Sequence, residues 1–189
     1  MSMGVSKFGL VDSKVELVVL VAGILAMFYA VTAALSLSFP DFTLLVASCL
    51  IAALIGRFKL TIPSTSITFD PRLVMSFWAA IWLGIPGAVL VTLAALISEM
   101  AEEHDTAPPD IARLAAEVLV ILVSAHAYSL AIANFQSKAG TLTLGGGSVP
   151  VEIILAVFVM AAVYFLFAVL TTGLRTEARA AKNRRTATE

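Results

Sequence analysis

The sequence predicts an all-α membrane protein, a six-span helical bundle whose third and fourth helices are short and separated by a break. Three observations carry that expectation. Hydrophobic residues make up 60% of the 189 residues and charged residues only 13%, about half the charge density of a soluble domain. The mean hydropathy is +0.98. The charges are clustered between apolar runs, so most of the surface is unsuited to water. A net charge of −1 leaves no nucleic-acid footprint.

Lys7, Asp12, Lys14 and Glu16 precede the first apolar run, which exceeds twenty residues. That is too long for the apolar core of a cleaved signal and suits a first span at about 15–38. Phe39-Pro40-Asp41 reads as a tight polar turn ending it. The second span covers about 42–56 and stops at Arg57. Cys49, the single cysteine, lies inside this run and reads as a small buried hydrophobe; no intramolecular disulfide can form.

The connector RFKLTIPSTSITFDPR, 57–72, is different in kind. Phe58, Leu60 and Ile62, then Ile67 and Phe69, alternate with polar residues around Pro63-Ser64-Thr65-Ser66. This pattern predicts a short β-hairpin at 57–70 lying in the membrane interface, with the apolar side chains toward lipid and Lys59 toward headgroups.

Residues 73–100 are again apolar. As one helix they would reach roughly 42 Å, against a hydrocarbon core of about 30 Å. Leu83-Gly84 and Pro86-Gly87 interrupt them, which predicts two short helices, 72–84 and 86–100, meeting in a hairpin. Such short arms belong deep between longer neighbours, because irregular backbone at depth must be covered by protein or border a wet cavity.

The acidic stretch runs from Glu99, which ends the fourth helix, to Asp110. Within it Glu102, Glu103 and Asp105 read as a solvated loop, and Pro108-Pro109 as the start of a span at about 109–137. AGTLTLGGGSVP reads as a flexible linker into the last span, about 150–174. The remaining residues, 175–189, form a basic, helix-prone tail. It holds five of the twelve Lys and Arg residues, so the C-terminus is expected in the cytoplasm. Six spans place Lys7, Lys14, Arg57, Lys59, Arg72 and Arg113 on that side too, leaving Lys138 outside; five spans would put the N-terminal lysines and the connector outside.

No catalytic motif is found, so the chain is not expected to be an enzyme, and no metal or cofactor is expected. His104 and His126 lack a metalloprotease pattern, and Gly145-Gly146-Gly147 lacks the Lys-Ser/Thr of a phosphate loop. The candidate ligand-binding residues are therefore the polar and aromatic ones inside the spans, since a charged group at depth costs at least about 2.5–3.5 kcal/mol. Glu117, Ser124 and Tyr128 fall on one helical face; His126 points roughly the other way, and Asn134 lies near the outer end. Trp78 and Trp82 stand one turn apart and would line a cavity or join an aromatic belt. Snorkelling of Glu117 and packing of a hydrogen-bonded His126 are the plainer alternatives.

Taken in order, GRFKLTIPSTSITFDPRLVMSFWAAIWLGIPGAVLVTLAALISEM resembles the N-terminal multi-span sensor domains of bacterial cyclic-di-nucleotide signalling proteins, the MASE-like modules joined to HD-GYP or GGDEF outputs. The closing span, VPVEIILAVFVMAAVYFLFAVLTTGLR, is similar to the helix that leads into their output domain. The resemblance covers about 40–175. It implies a bacterial inner-membrane location, a lipid or small-molecule ligand, a homodimer, and a packing change passed through the last helix to a cytoplasmic partner. A second resemblance is to the substrate-binding subunits of energy-coupling-factor vitamin transporters, through the same broken third and fourth helices and the small residues Ala94, Ala95, Ala112, Ala115 and Ala116. The basic tail favours the sensor.

Overall fold

The computed structural model describes residues 14–57, 60–61, 68–103, 111–135, 141–144 and 147–186. Five helices dominate it: α1 (Lys14–Ala34), α2 (Phe39–Ile55), α3 (Arg72–Glu103), α4 (Ile111–Phe135) and α5 (Val151–Thr186). Four of them are long and apolar enough to cross a membrane; α2, with 17 residues, is shorter. Large apolar side chains cover their outward faces, among them Val18, Phe28, Leu50, Phe158 and Val169. A water-soluble chain does not leave apolar surface in such continuous bands. The protein is a helical membrane protein.

α3 is the centre of the fold and is bent back on itself. Gly84 sits at φ 69°, ψ −160°, a conformation nearly closed to residues with a Cβ. The consequence is seen in two contacts. The hydroxyls of Ser76 and Thr92 are 2.7 Å apart, although sixteen residues of straight helix would separate them by about 24 Å. Arg72 at the start of α3 likewise reaches Glu99 near its end. The two arms, 72–83 and 85–103, are therefore antiparallel, as the Leu-Gly-x-Pro-Gly break predicts. Half of this segment is buried, against 11% of the apolar part of α5, so the hairpin lies inside and the long helices lie around it.

The packing is built on small residues. α1 packs on α3 and α4, α2 on α3, and α4 on α3 and α5. Ala26, Ala30, Ala80, Ala88, Val89, Val118, Ala125, Ala156 and Met160 form the larger core; Ala34, Leu45, Ala52, Ala79, Leu83, Val91 and Ala95 form the second. Lipid is as apolar as leucine, so helices in a bilayer gain by close backbone approach and dispersion rather than by escape from water.

Two local expectations need correction. Phe39-Pro40-Asp41 is the first turn of α2 and not a turn ending α1. The chain leaves α1 through tightened turns at 35–37, and Ser38 caps α2, accepting from the Asp41 amide at 3.4 Å while its hydroxyl donates to Asp41 Oδ2 at 2.6 Å. Proline is well placed in a first turn, where its missing N–H has no intrahelical partner to lose. The Gly-rich linker also has regular structure: β3 (Thr141–Leu144) pairs antiparallel with β4 (Gly147–Pro150), Leu142 opposite Val149. Its Thr-Leu alternation was outweighed in the sequence reading by the three glycines.

In the 57–70 connector, β1 (Leu60–Thr61) pairs with β2 (Thr68–Phe69), Leu60 opposite Phe69. The centre of that ribbon (62–67), the connector with His104, Asp105 and Pro108-Pro109 (104–110), and Lys138 lie outside the described residues. α5 continues without a break through 175–186, well past the expected end of the last span at 174.

Candidate functional site

Folding α3 back brings together charges that the sequence scatters over 48 positions, from Asp70 to Glu117. Arg72 is the first residue of α3, and Asp70 prepares that start: its Oδ1 accepts from the Arg72 amide at 3.1 Å, and its Oδ2 pairs with Arg72 Nε. Glu99 stands near the end of the returning arm. Arg113 and Glu117 lie one turn apart at the beginning of α4, an i,i+4 pair.

The four form a closed ring of alternating charge. Arg72 Nη1 is 2.5 Å from Glu99 Oε2, and its Nη2 is 3.3 Å from Glu117 Oε2. Arg113 Nη2 is 3.0 Å from Glu99 Oε1, and its Nε is 3.2 Å from Glu117 Oε1. Each carboxylate thus spans both guanidiniums, one oxygen to each. Planar, multidentate pairing is what arginine offers and lysine does not.

Burial makes this geometry consequential. The side chains of Glu99 and Arg72 are 5% and 11% exposed, those of Glu117 and Arg113 26% and 32%. Charges taken out of water are tolerated only when paired and fully hydrogen-bonded. Among the described residues, every buried side-chain nitrogen and oxygen has a partner.

Neighbouring contacts extend the network. Arg57, at the end of α2, donates from Nε to Ser98 Oγ at 3.1 Å, next to Glu99. The Ser76 hydroxyl donates to the Arg72 carbonyl at 3.1 Å, and Thr92 joins it from the other arm. On the far side, Phe77 meets Tyr164 of α5 edge-on, with ring centroids 5.6 Å apart. The ends of α2, both arms of α3 and the start of α4 are therefore fastened together at one end of the bundle. α5 touches this assembly through an aromatic contact.

Of the seven residues singled out in the sequence, only Glu117 belongs to the ring. Ser124 is fully buried and donates to the Val120 carbonyl at 2.7 Å. Tyr128 is buried in the larger core. Trp78 packs against the second core, while Trp82, its ring 6.5 Å away, is 68% exposed on the outer surface. His126 and Asn134 also face outward; His126 Nδ1 bonds the Leu122 carbonyl and Asn134 Nδ2 the Leu130 carbonyl. These side chains are not gathered around one cavity. Among the described residues, no cluster of His, Cys, Asp and Glu is arranged to hold a metal.

Sequence reasoning did not identify Arg72, Arg113 and Glu99 as partners of Glu117. The Arg113–Glu117 spacing was a readable signal, and the hairpin implied that residues just outside its two ends would meet.

No protein-family model, curated protein or solved structure matches this chain.

Proposed function

We propose that this protein is the input module of a bacterial membrane signalling protein: a six-span bundle that binds a lipid or small molecule and passes a packing change through α5. In this reading the α3 arms count as two of the six spans, both termini are cytoplasmic, and the 57–70 ribbon lies at the inner interface. The ring of Arg72, Glu99, Arg113 and Glu117 then stands near the cytoplasmic ends of the helices, where the excess of Arg and Lys falls.

The observation that carries the reading is the continuity of α5. It runs unbroken from Val151 to Thr186, while its apolar span ends at Thr171. The remaining fifteen residues extend it by about 22 Å. A rigid rod that begins inside a bundle and continues beyond it transmits rotation or tilt. Tyr164 is the point where the α3 hairpin can act on that rod, through Phe77. For a ligand to drive the change it must bind the two arrangements with different affinity, and the hairpin is the element whose movement against α4 and α5 would provide them.

Native mass spectrometry of the purified protein tests the first half of the reading, with a co-purifying lipid or small molecule expected. Hydrogen exchange across 172–186 tests the second half; stripping the bound species should change protection there. A bundle with nothing bound and a tail indifferent to added lipid extracts would overturn the proposal. A tightly held water-soluble small molecule with an unresponsive tail would instead favour the transporter-subunit resemblance.

A further inference from the structure

The outer half of α4 exposes Val123, His126, Ser129, Leu130, Ala133 and Asn134 and covers the residues between them. Val123, His126, Leu130 and Ala133 follow the 3-4-3 spacing of a coiled-coil seam. That spacing alone marks only a side turned away from the bundle. α5 shows it too, at Leu155, Phe158, Ala162 and Phe165, and there every group is apolar and suits lipid. On α4 the seam holds a histidine near mid-helix, where hydrocarbon offers no hydrogen bond, and is flanked by Ser129 and, in the last turn, Asn134.

We infer that this face of α4 is the interface with a second copy of the chain, related by a two-fold axis along the membrane normal. Two copies inserted with the same orientation present their α4 helices in parallel. In a parallel pair the residues flanking the seam meet with an offset of five positions, which sets Ser129 of one copy beside Asn134 of the other. Their hydrogen-bonding capacities match. The Ser129 hydroxyl donates to its own Ala125 carbonyl at 3.1 Å, leaving its lone pairs to accept. Asn134 uses one Nδ2 hydrogen on its own Leu130 carbonyl at 2.7 Å, leaving the second to donate. The two-fold axis makes this bond twice.

At the seam itself Ala133 is small enough to let the helices close. His126 faces the axis; its Nδ1 donates to the Leu122 carbonyl at 3.0 Å, which leaves Nε2 an acceptor, so the two rings meet only through a shared water or proton. A lipid tail offers nothing to the remaining capacity of Ser129 and Asn134, whereas a second α4 satisfies it twice by symmetry. The inference does not depend on what the bundle binds.

Oxidative cross-linking in native membranes is the test, in a Cys49→Ala background. Ala133→Cys should form covalent dimers, and Leu50→Cys on the exposed face of α2 should not. Ala133→Cys remaining monomeric, or Leu50→Cys cross-linking equally well, would overturn the interface. In vesicles, energy transfer between labelled copies should show that Asn134→Leu weakens the dimer by roughly ninefold, about threefold for each of the two lost bonds. Circular dichroism should show the helix content unchanged. No loss on Asn134→Leu, or a monomer with lipids retained along α4 by native mass spectrometry, would count against the second copy as occupant.

Discussion

Arg72 and Glu99 are 27 residues apart in sequence and 2.5 Å apart in space, joined across the mouth of a hairpin whose corner is Gly84. The pair closes the open end of the α3 arms, and Arg113 and Glu117 tie that closure to α4. Four side chains thus join both arms of α3 to the start of α4. An ion pair of this kind is weak evidence for stability over an apolar alternative, yet breaking it by removing one partner is expensive.

That asymmetry gives the first prediction. Glu99→Gln leaves two guanidiniums facing a neutral amide in a buried position, and should destabilise the fold by about 3–5 kcal/mol. Glu117→Gln should cost roughly 1 kcal/mol, because its carboxylate is more exposed and Glu99 continues to hold both arginines. The double variant Arg72→Met/Glu99→Leu should cost less than Arg72→Met alone. Thermal unfolding in detergent, followed by circular dichroism, ranks the variants; equal costs for Glu99→Gln and Glu117→Gln would contradict the ring.

Gly84→Ala should destabilise by about 1–3 kcal/mol through backbone strain alone. A Cβ there meets no atom closer than Pro86 Cδ at 3.9 Å, so space is not the obstacle. The φ of 69° is. The same melting experiment checks it, and a neutral result would mean that the corner relaxes into another conformation.

The hairpin was legible because Gly84, Pro86 and Gly87 interrupt an apolar run too long for one upright span. The ring was not. Arg72 and Arg113 read as markers of orientation, since basic residues gather at the cytoplasmic ends of spans whether or not they pair. On α4 the polar residues did separate the faces, Ser124 and Tyr128 inward and His126 outward. On α3, apolar on every side, no moment separates core from lipid, and the outward turn of Trp82 was not decided. Ser38 was missed as a cap because Pro40 two residues on is as much a stop signal as a start signal.

Gly23→Leu should separate α1 from α4. Even a Cβ at Gly23 would stand 2.6 Å from Ala115 Cβ and 2.8 Å from its Cα, so the two backbones are nearly in contact and no rotamer relieves the clash. Overpacking of this kind costs about 1–3 kcal/mol. The milder Gly23→Ala should be substantially rescued by Ala115→Gly, which returns the lost space from the other side. Failure of that rescue in paired melting curves would place the strain somewhere other than this crossing.

Thiol labelling decides whether the folded-back α3 returns the chain to its starting side in a real bilayer. In a Cys49→Ala background, Arg57→Cys and Ala101→Cys should react with a membrane-impermeant maleimide from one side. Phe39→Cys, 84% exposed at the start of α2, should react from the other. Gly173→Cys on α5 should follow Arg57, as six spans require. The contacts of Arg57 with Ser98 and of Arg72 with Glu99 demand the first pairing, since the former ties the end of α2 to the returning arm of α3 and the latter ties the two ends of α3 together. Ala101→Cys labelling together with Phe39→Cys would mean that α3 crosses once as a kinked rod. The ring of Arg72, Glu99, Arg113 and Glu117 could not then form, because its members would lie on opposite faces of the membrane.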